Sequence, residues 1–219
     1  MIVNEHFRFV FAHISKMAGT SLRTALGGLE GNTTLGVADT KHETPLEFPE
    51  KYEARTGVPP DRVRSYRFVC FVRHPVDRFA SLHRYLITTH RHVYPQVPMS
   101  INRFAETVIE GAPWTRSIRA IQPQHVYTEG VAPWIGRFES LQEDFRTLTD
   151  LLEAPMTLEH LNASRTSSGT SAPRFSPKAL LGRLKRARRS AHYVSEDLSP
   201  ASRALIERYY AEDFARFGY

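Results

Sequence analysis

Lys16, Gly19, Thr20 and Ser21 fall together in HISKMAGTSL, between an apolar run and a helix-like segment. A cation, a residue without a side chain and two hydroxyls at a helix start are groups that hold an anion. Free backbone N–H groups and the positive end of the helix dipole point at it. The glycine lets the backbone come close, and Lys16 adds a mobile full charge. The ATP-binding loop, however, has the order G-x-x-x-x-G-K-[ST]. Here the lysine precedes the glycine, and Gly-Lys-Ser/Thr occurs nowhere in the chain. That order argues against a nucleotide kinase or an ATPase. The plain alternative for the stretch is a strand-to-helix turn with a surface lysine.

A second set lies in CFVRHPVDRFASLHRY. Arg73 falls at the carboxyl end of a buried-strand pattern, where α/β sheets place ligands. Ser81 follows about two helical turns later. A guanidinium fork and a hydroxyl brought together suit a phosphate monoester. Arg78 reads as a helix-surface charge, paired with Asp77 or a nearby glutamate. The two stretches together suggest one ligand with two separate anionic groups.

Other residue types carry less. His90 and His92 in TTHRHVY lack the cysteines or paired carboxylates of a metal site. His125 and His160 suit structural or ligand-side roles, and Arg137 and Glu139 in GRFES suit an ion pair as well as a ligand contact. Trp114 and Trp134 could stack on a sugar ring, although core packing is the commoner use. Cys70, the one cysteine, sits in the run Phe68–Val72 and reads as a small buried hydrophobe.

The elements that position these residues follow from the pattern. Phe7–Ala12 and Phe68–Val72 are apolar runs expected to be strands buried on both faces, and Trp134–Phe138 is a third strand candidate. Thr20 or Ser21 can cap a helix through Leu22 and Leu26, stopped by Gly27-Gly28. Pro75 opens a helix carrying Phe79, Leu82 and Leu86, and another is expected over Ile101–Ile109. Ser140 and Glu143 match a capping box ahead of Leu141, Phe145, Leu148 and Leu152. Ser199-Pro200 opens a last helix with the stripe Ile206, Tyr210, Phe214 and Phe217. Residues 31 to 65, rich in proline, read as loops and short helices. The order points to one α/β domain over residues 1–219, a three-layer parallel sheet with flanking helices.

Composition sets the outer bounds. With 219 residues, 41% of them hydrophobic, the chain can bury a sizeable core. A net charge of +6 favours anionic partners. Much of the excess lies at Arg183, Lys185, Arg186, Arg188 and Arg189, after a Ser/Thr/Gly/Pro-rich stretch. Residues 165–190 read as a mobile loop with a basic helix, or as a flap over an anionic ligand. Aromatics and glycines do not interleave there as in RNA binders, so a nucleic-acid partner is not expected. Neither a secretion signal nor a membrane span is visible.

The chain resembles the sulfotransferases that use 3′-phosphoadenosine 5′-phosphosulfate (PAPS), most of all the carbohydrate sulfotransferase branch (sulfotransferase family 2-like). HISKMAGTSL is similar to the 5′-phosphosulfate loop I-P-K-x-[AG]-G-T-S, and FVRHPVDRFASLHRY to the 3′-phosphate segment V-R-[ND]-P-x-x-R-x-x-S. GRFESLQEDF, EHLNAS at 159–164 and the ending YYAEDFARFGY agree with that branch in the same order. Ser15, Met17 and His74 depart from its usual residues without removing a group the chemistry needs. The resemblance implies a P-loop-NTPase-like sulfotransferase fold and in-line sulfuryl transfer to a hydroxyl of a carbohydrate or glycolipid-type acceptor, with adenosine 3′,5′-bisphosphate as product and no metal. It implies that Lys16 holds the bridging oxygen and leaving phosphate. Ala18, Gly19, Thr20, Ser21 and Leu22 would form the 5′-phosphate loop, and Arg73 and Ser81 would take the 3′-phosphate. The acceptor proton needs a base; His42, then Glu43, in TKHETPLEF are the candidates, downstream of the loop as in related enzymes. A small-molecule kinase and a non-catalytic nucleotide- or glycan-binding module are the alternatives. Glycan sulfotransferases of the secretory pathway carry a membrane anchor. Its absence and the Met1 start lead us to expect a cytoplasmic bacterial enzyme, or an excised catalytic domain, peripheral to a membrane only through its acceptor.

Overall fold

Two apolar runs, β2 (Phe9–Ala12) and β4 (Arg67–Val72), lie side by side and parallel, Phe9 opposite Arg67 and Ala12 opposite Cys70. All of β2 and all of β4 after Arg67 are buried, because helices cover both faces. A third strand, β5 (Trp134–Arg137), pairs parallel with the far side of β4. The computed structural model describes residues 1–33, 42–158 and 197–219. The basic stretch at 165–190, His160 and the EHLNAS stretch lie outside them.

The expected parallel sheet with flanking helices is present in β2, β4 and β5, and two antiparallel strands extend it into a mixed sheet. β1 (Ile2–Asn4) pairs antiparallel with β2, and β3 (Asn32–Thr33) antiparallel with β1, giving the order β3-β1-β2-β4-β5. The parallel half, β2-β4-β5, matters for the site: its three strands end at Ala12, Val72 and Arg137, on one edge.

Helices follow from that frame. α1 (Gly19–Gly27) leaves β2, α2 (Phe48–Thr56) and α3 (Pro60–Arg64) precede β4, and α4 (Pro75–Thr89) leaves it. α5 (Ile101–Ile109) and α6 (Leu141–Leu152) fall on the expected segments. The final stripe is split: α7 (Pro200–Tyr209), capped by Ser199, and α8 (Ala211–Phe217) meet at Tyr210. One apolar cluster surrounds the sheet with Leu22, Leu26, Phe145 and Leu148. A second joins α4, α5 and α7 through Phe79, Leu82, Phe104 and Ile206.

Two expected caps differ. Ala18, in left-handed backbone, is the N-cap of α1, so Thr20 and Ser21 stand inside its first turn. At α6 the Ser140 hydroxyl donates to Asp144 Oδ2 (2.8 Å), which also accepts from the Arg137 N–H (2.5 Å), displacing the Ser140–Glu143 box.

Candidate active site

The loops leaving β2, β4 and β5 open into one cleft of about 1130 Å³. The first loop supplies His13, Ser15, Lys16, Ala18, Gly19, Thr20 and Ser21, the second Arg73, and the third Phe138, Glu139 and Ser140. Ser81 and Tyr85, one turn apart on α4, complete one wall. The carboxyl edge of a parallel sheet is where such folds bind ligands, and both sequence stretches converge there.

Lys16 and Ala18 both take left-handed φ, at 73° and 50°. Such conformations cost side-chain-bearing residues about 1 kcal/mol or more and cluster at sites where the backbone is shaped for a ligand. Gly19 makes room in a way invisible in sequence: a Cβ there would lie 1.8 Å from His13 Nε2, so a side chain would have to displace the His13 ring. No acidic side chain stands in the first turn of α1, so its positive end is not neutralised locally. The Lys16 ammonium lies 3.9 Å from the centre of the Tyr85 ring. Leu22 does not reach the cleft: its side chain is fully buried and its N–H donates to the Ala18 carbonyl at 3.1 Å.

Arg73 has the surroundings of an anion ligand. Its guanidinium lies over the Phe138 ring at 4.1 Å, and its buried Nε has no hydrogen-bond partner. Burial lowers its pKa, with Asp77 and Glu139 acting the other way. A cation desolvated this far gains from a bound anion.

His42 enters the cleft and Glu43 does not. His42 Nδ1 is 3.1 Å from the His13 carbonyl, which can only accept, so Nδ1 carries a proton there and Nε2 is the ring's acceptor nitrogen. Its ring stacks on His13 at 5.0 Å, and Ser15 Oγ lies 3.3 Å from both ring nitrogens. Arg119 donates to the His42 carbonyl at 3.1 Å. Glu43 is buried beside α2, 3.4 Å from Lys51 Nζ and 3.8 Å from Arg55, away from the cleft.

Arg78 corrects the surface reading. It is 1% exposed and donates to the carbonyls of Ser15 (3.4 Å), Ala120 (2.8 Å) and Gln122 (2.8 Å). Arg137 donates to the Phe217 carbonyl, while Glu139 stays in the cleft. Trp114 packs on Phe104 and Trp134 on Phe71, as core aromatics. His90 pairs with Tyr85, and among the described residues no group of three or more His, Cys, Asp or Glu could hold a metal. Sequence reasoning missed His13, Ser15, Tyr85 and Phe138. Only Tyr85 carried a signal, its spacing of one turn from Ser81.

A parallel edge that gathers a lysine- and hydroxyl-bearing loop, a partly buried arginine and an imidazole in one cleft has the groups to hold an anionic ligand. The chain matches the sulfotransferase family 2 model over residues 1–219 and belongs to the sulfotransferase family, so the group it transfers is sulfuryl. No curated protein and no solved structure matches it. Among the described residues no helix is long and apolar enough to cross a membrane.

Proposed function

We propose that the protein moves a sulfuryl group from PAPS to a hydroxyl of a carbohydrate or glycolipid-type acceptor without a metal ion. The observation that carries this reading is Arg73: a buried guanidinium nitrogen without a partner, in the same cleft as an anion loop on a different strand. Two anion grips in one cleft suit a nucleotide phosphorylated at both 5′ and 3′ positions. ATP, with one phosphate chain, would leave the second grip empty. The residues present therefore fit PAPS.

Bound there, the donor supplies a sulfuryl group activated by a 5′-phosphate leaving group. The α1 N–H groups, Thr20 and Ser21 hold the 5′-phosphate, and Lys16 neutralises charge as it grows on the leaving oxygen. Arg73, with Ser81 on the same wall, holds the 3′-phosphate and fixes the nucleotide's direction. His42 Nε2 takes the acceptor proton while Nδ1 stays on the His13 carbonyl. The resemblance of HISKMAGTSL and YYAEDFARFGY to the carbohydrate branch supports a sugar acceptor. A single buried thiol suits a reducing compartment such as the cytoplasm.

Thermal melting with adenosine 3′,5′-bisphosphate, AMP and ATP tests the donor. The bisphosphate is expected to raise Tm more than either at equal concentration, since stabilisation follows ligand affinity. Equal shifts from ATP, or transfer that stops in EDTA, would refute this reading.

A further inference from the structure

Arg73 follows the last residue of β4, so its own peptide groups must find partners off the strand. Both find the Gln124 side chain. The Arg73 N–H donates to Gln124 Oε1 at 2.9 Å, and Gln124 Nε2 donates to the Arg73 carbonyl at 2.9 Å. An amide fixed to both polar groups of one residue sets the direction in which that side chain leaves the backbone. Gln124 is fully buried and is held in turn by α8. Asp213 Oδ2 accepts the Gln124 N–H at 2.8 Å and Nε2 at 3.4 Å, while Oδ1 accepts the His125 N–H (2.8 Å) and Nδ1 (2.9 Å).

Asp213 is 0% exposed, and a carboxylate withdrawn from water is tolerated only when such donors surround it. His74 is tied to the same end of the chain. Its N–H donates to Glu139 Oε1 (2.8 Å), whose other oxygen accepts from the Tyr219 hydroxyl (3.0 Å). Its ring meets Phe214 and Tyr219 edge-on, each at 5.4 Å. Gln124 and Asp213 are not among the cleft's lining residues, so they act on a ligand only through Arg73.

We propose that Gln124 and Asp213 are positioning residues for donor recognition. Through the Arg73 backbone they aim the guanidinium at the 3′-phosphate, so the C-terminal helix sets how well the site separates 3′-phosphorylated from unphosphorylated nucleotides. The inference rests on the reading of Arg73 as the 3′-phosphate ligand.

The test is calorimetric titration of adenosine 3′,5′-bisphosphate and AMP, read as the Kd for AMP divided by the Kd for the bisphosphate. It is applied to the unaltered chain, Gln124→Met, Asp213→Asn, Arg73→Ala and the Gln124→Met/Arg73→Ala double variant. The unaltered chain should prefer the bisphosphate; if it does not, the reading of Arg73 fails before any variant is compared. Gln124→Met should lower the ratio roughly tenfold while AMP affinity holds. Asp213→Asn, which keeps the shape but loses acceptors, should lower it by a smaller factor. Arg73→Ala should remove the preference, with Gln124→Met adding nothing further. An unchanged ratio in folded Gln124→Met, or equal losses for both ligands, overturns the proposal. So does failure of both single variants to fold, because the network would then hold the fold and not the arginine.

Discussion

His42 and Lys16 face the same cleft but are held differently, and the difference separates their roles. The Lys16 ammonium rests 3.9 Å from the Tyr85 ring centre, an attraction of about 0.5–2 kcal/mol. That is enough to keep the charge at the wall and weak enough for a bound anion to draw it off. His42 is fixed through Nδ1 to a carbonyl, which commits Nε2 to accepting a proton. A base of this kind works only when deprotonated, so kcat/KM must rise with pH on the acid side of the profile. In His42→Ala that rise should vanish and kcat should fall by roughly 10²- to 10⁴-fold, with bisphosphate affinity kept. In Lys16→Ala the rate should fall at every pH and the rise should remain. Steady-state profiles of the two variants decide it; an acid limb intact in His42→Ala rules out the imidazole.

At the scale of elements, Arg78 ties α4 to the loop leaving β2. Its guanidinium joins the Ser15 carbonyl to those of Ala120 and Gln122, so three chain segments share one buried cation. A lysine keeps the charge but not the planar fork that spans them. Arg78→Lys should lower unfolding stability by about 2–4 kcal/mol, because buried acceptors lose their donors. A urea midpoint within error of the unaltered chain would contradict this. The contact also shows where sequence reading stops. β2 and β4 were legible because strands buried on both faces write unbroken apolar runs, and α5 because its stripe repeats at helical spacing. β1 and β3, with three and two residues, are too short to show a period. The placing of the loop after β2, Arg73 and Ser81 at one cleft was legible because strand-to-helix turns are local. Arg78 and Gln124 were not: their partners lie 42 to 89 residues away, and no local pattern marks a charge or an amide that distant chain will bury.

The whole molecule buries acids that titrate only at high pH, and this sets its behaviour in alkali. Burial pushes the Cys70 thiol from 9.0 up to about 12. It also raises the hydroxyls of Tyr127 and Tyr210 above the ordinary 10.0, and that of Tyr219 with help from the nearby Glu139 carboxylate. The Tyr210 hydroxyl donates to the Ile121 carbonyl at 2.7 Å, a bond that ionisation would break. Each group keeps its proton in the folded chain and releases it sooner in the unfolded one. Their stabilisation is therefore complete below the unfolded values of 9.0 to 10.0 and is lost as pH climbs toward the folded ones. Per group the loss approaches about 1.4 kcal/mol for each pH unit. General charge repulsion cannot imitate this onset, because the chain's pI of about 9.6 puts its net charge near zero in the same range. Tm should fall steeply once pH climbs above about 9, with Cys70 alkylation appearing as the chain opens. A flat Tm above pH 9, or Cys70 alkylated while the fold persists, would mean that these groups are not held by the core.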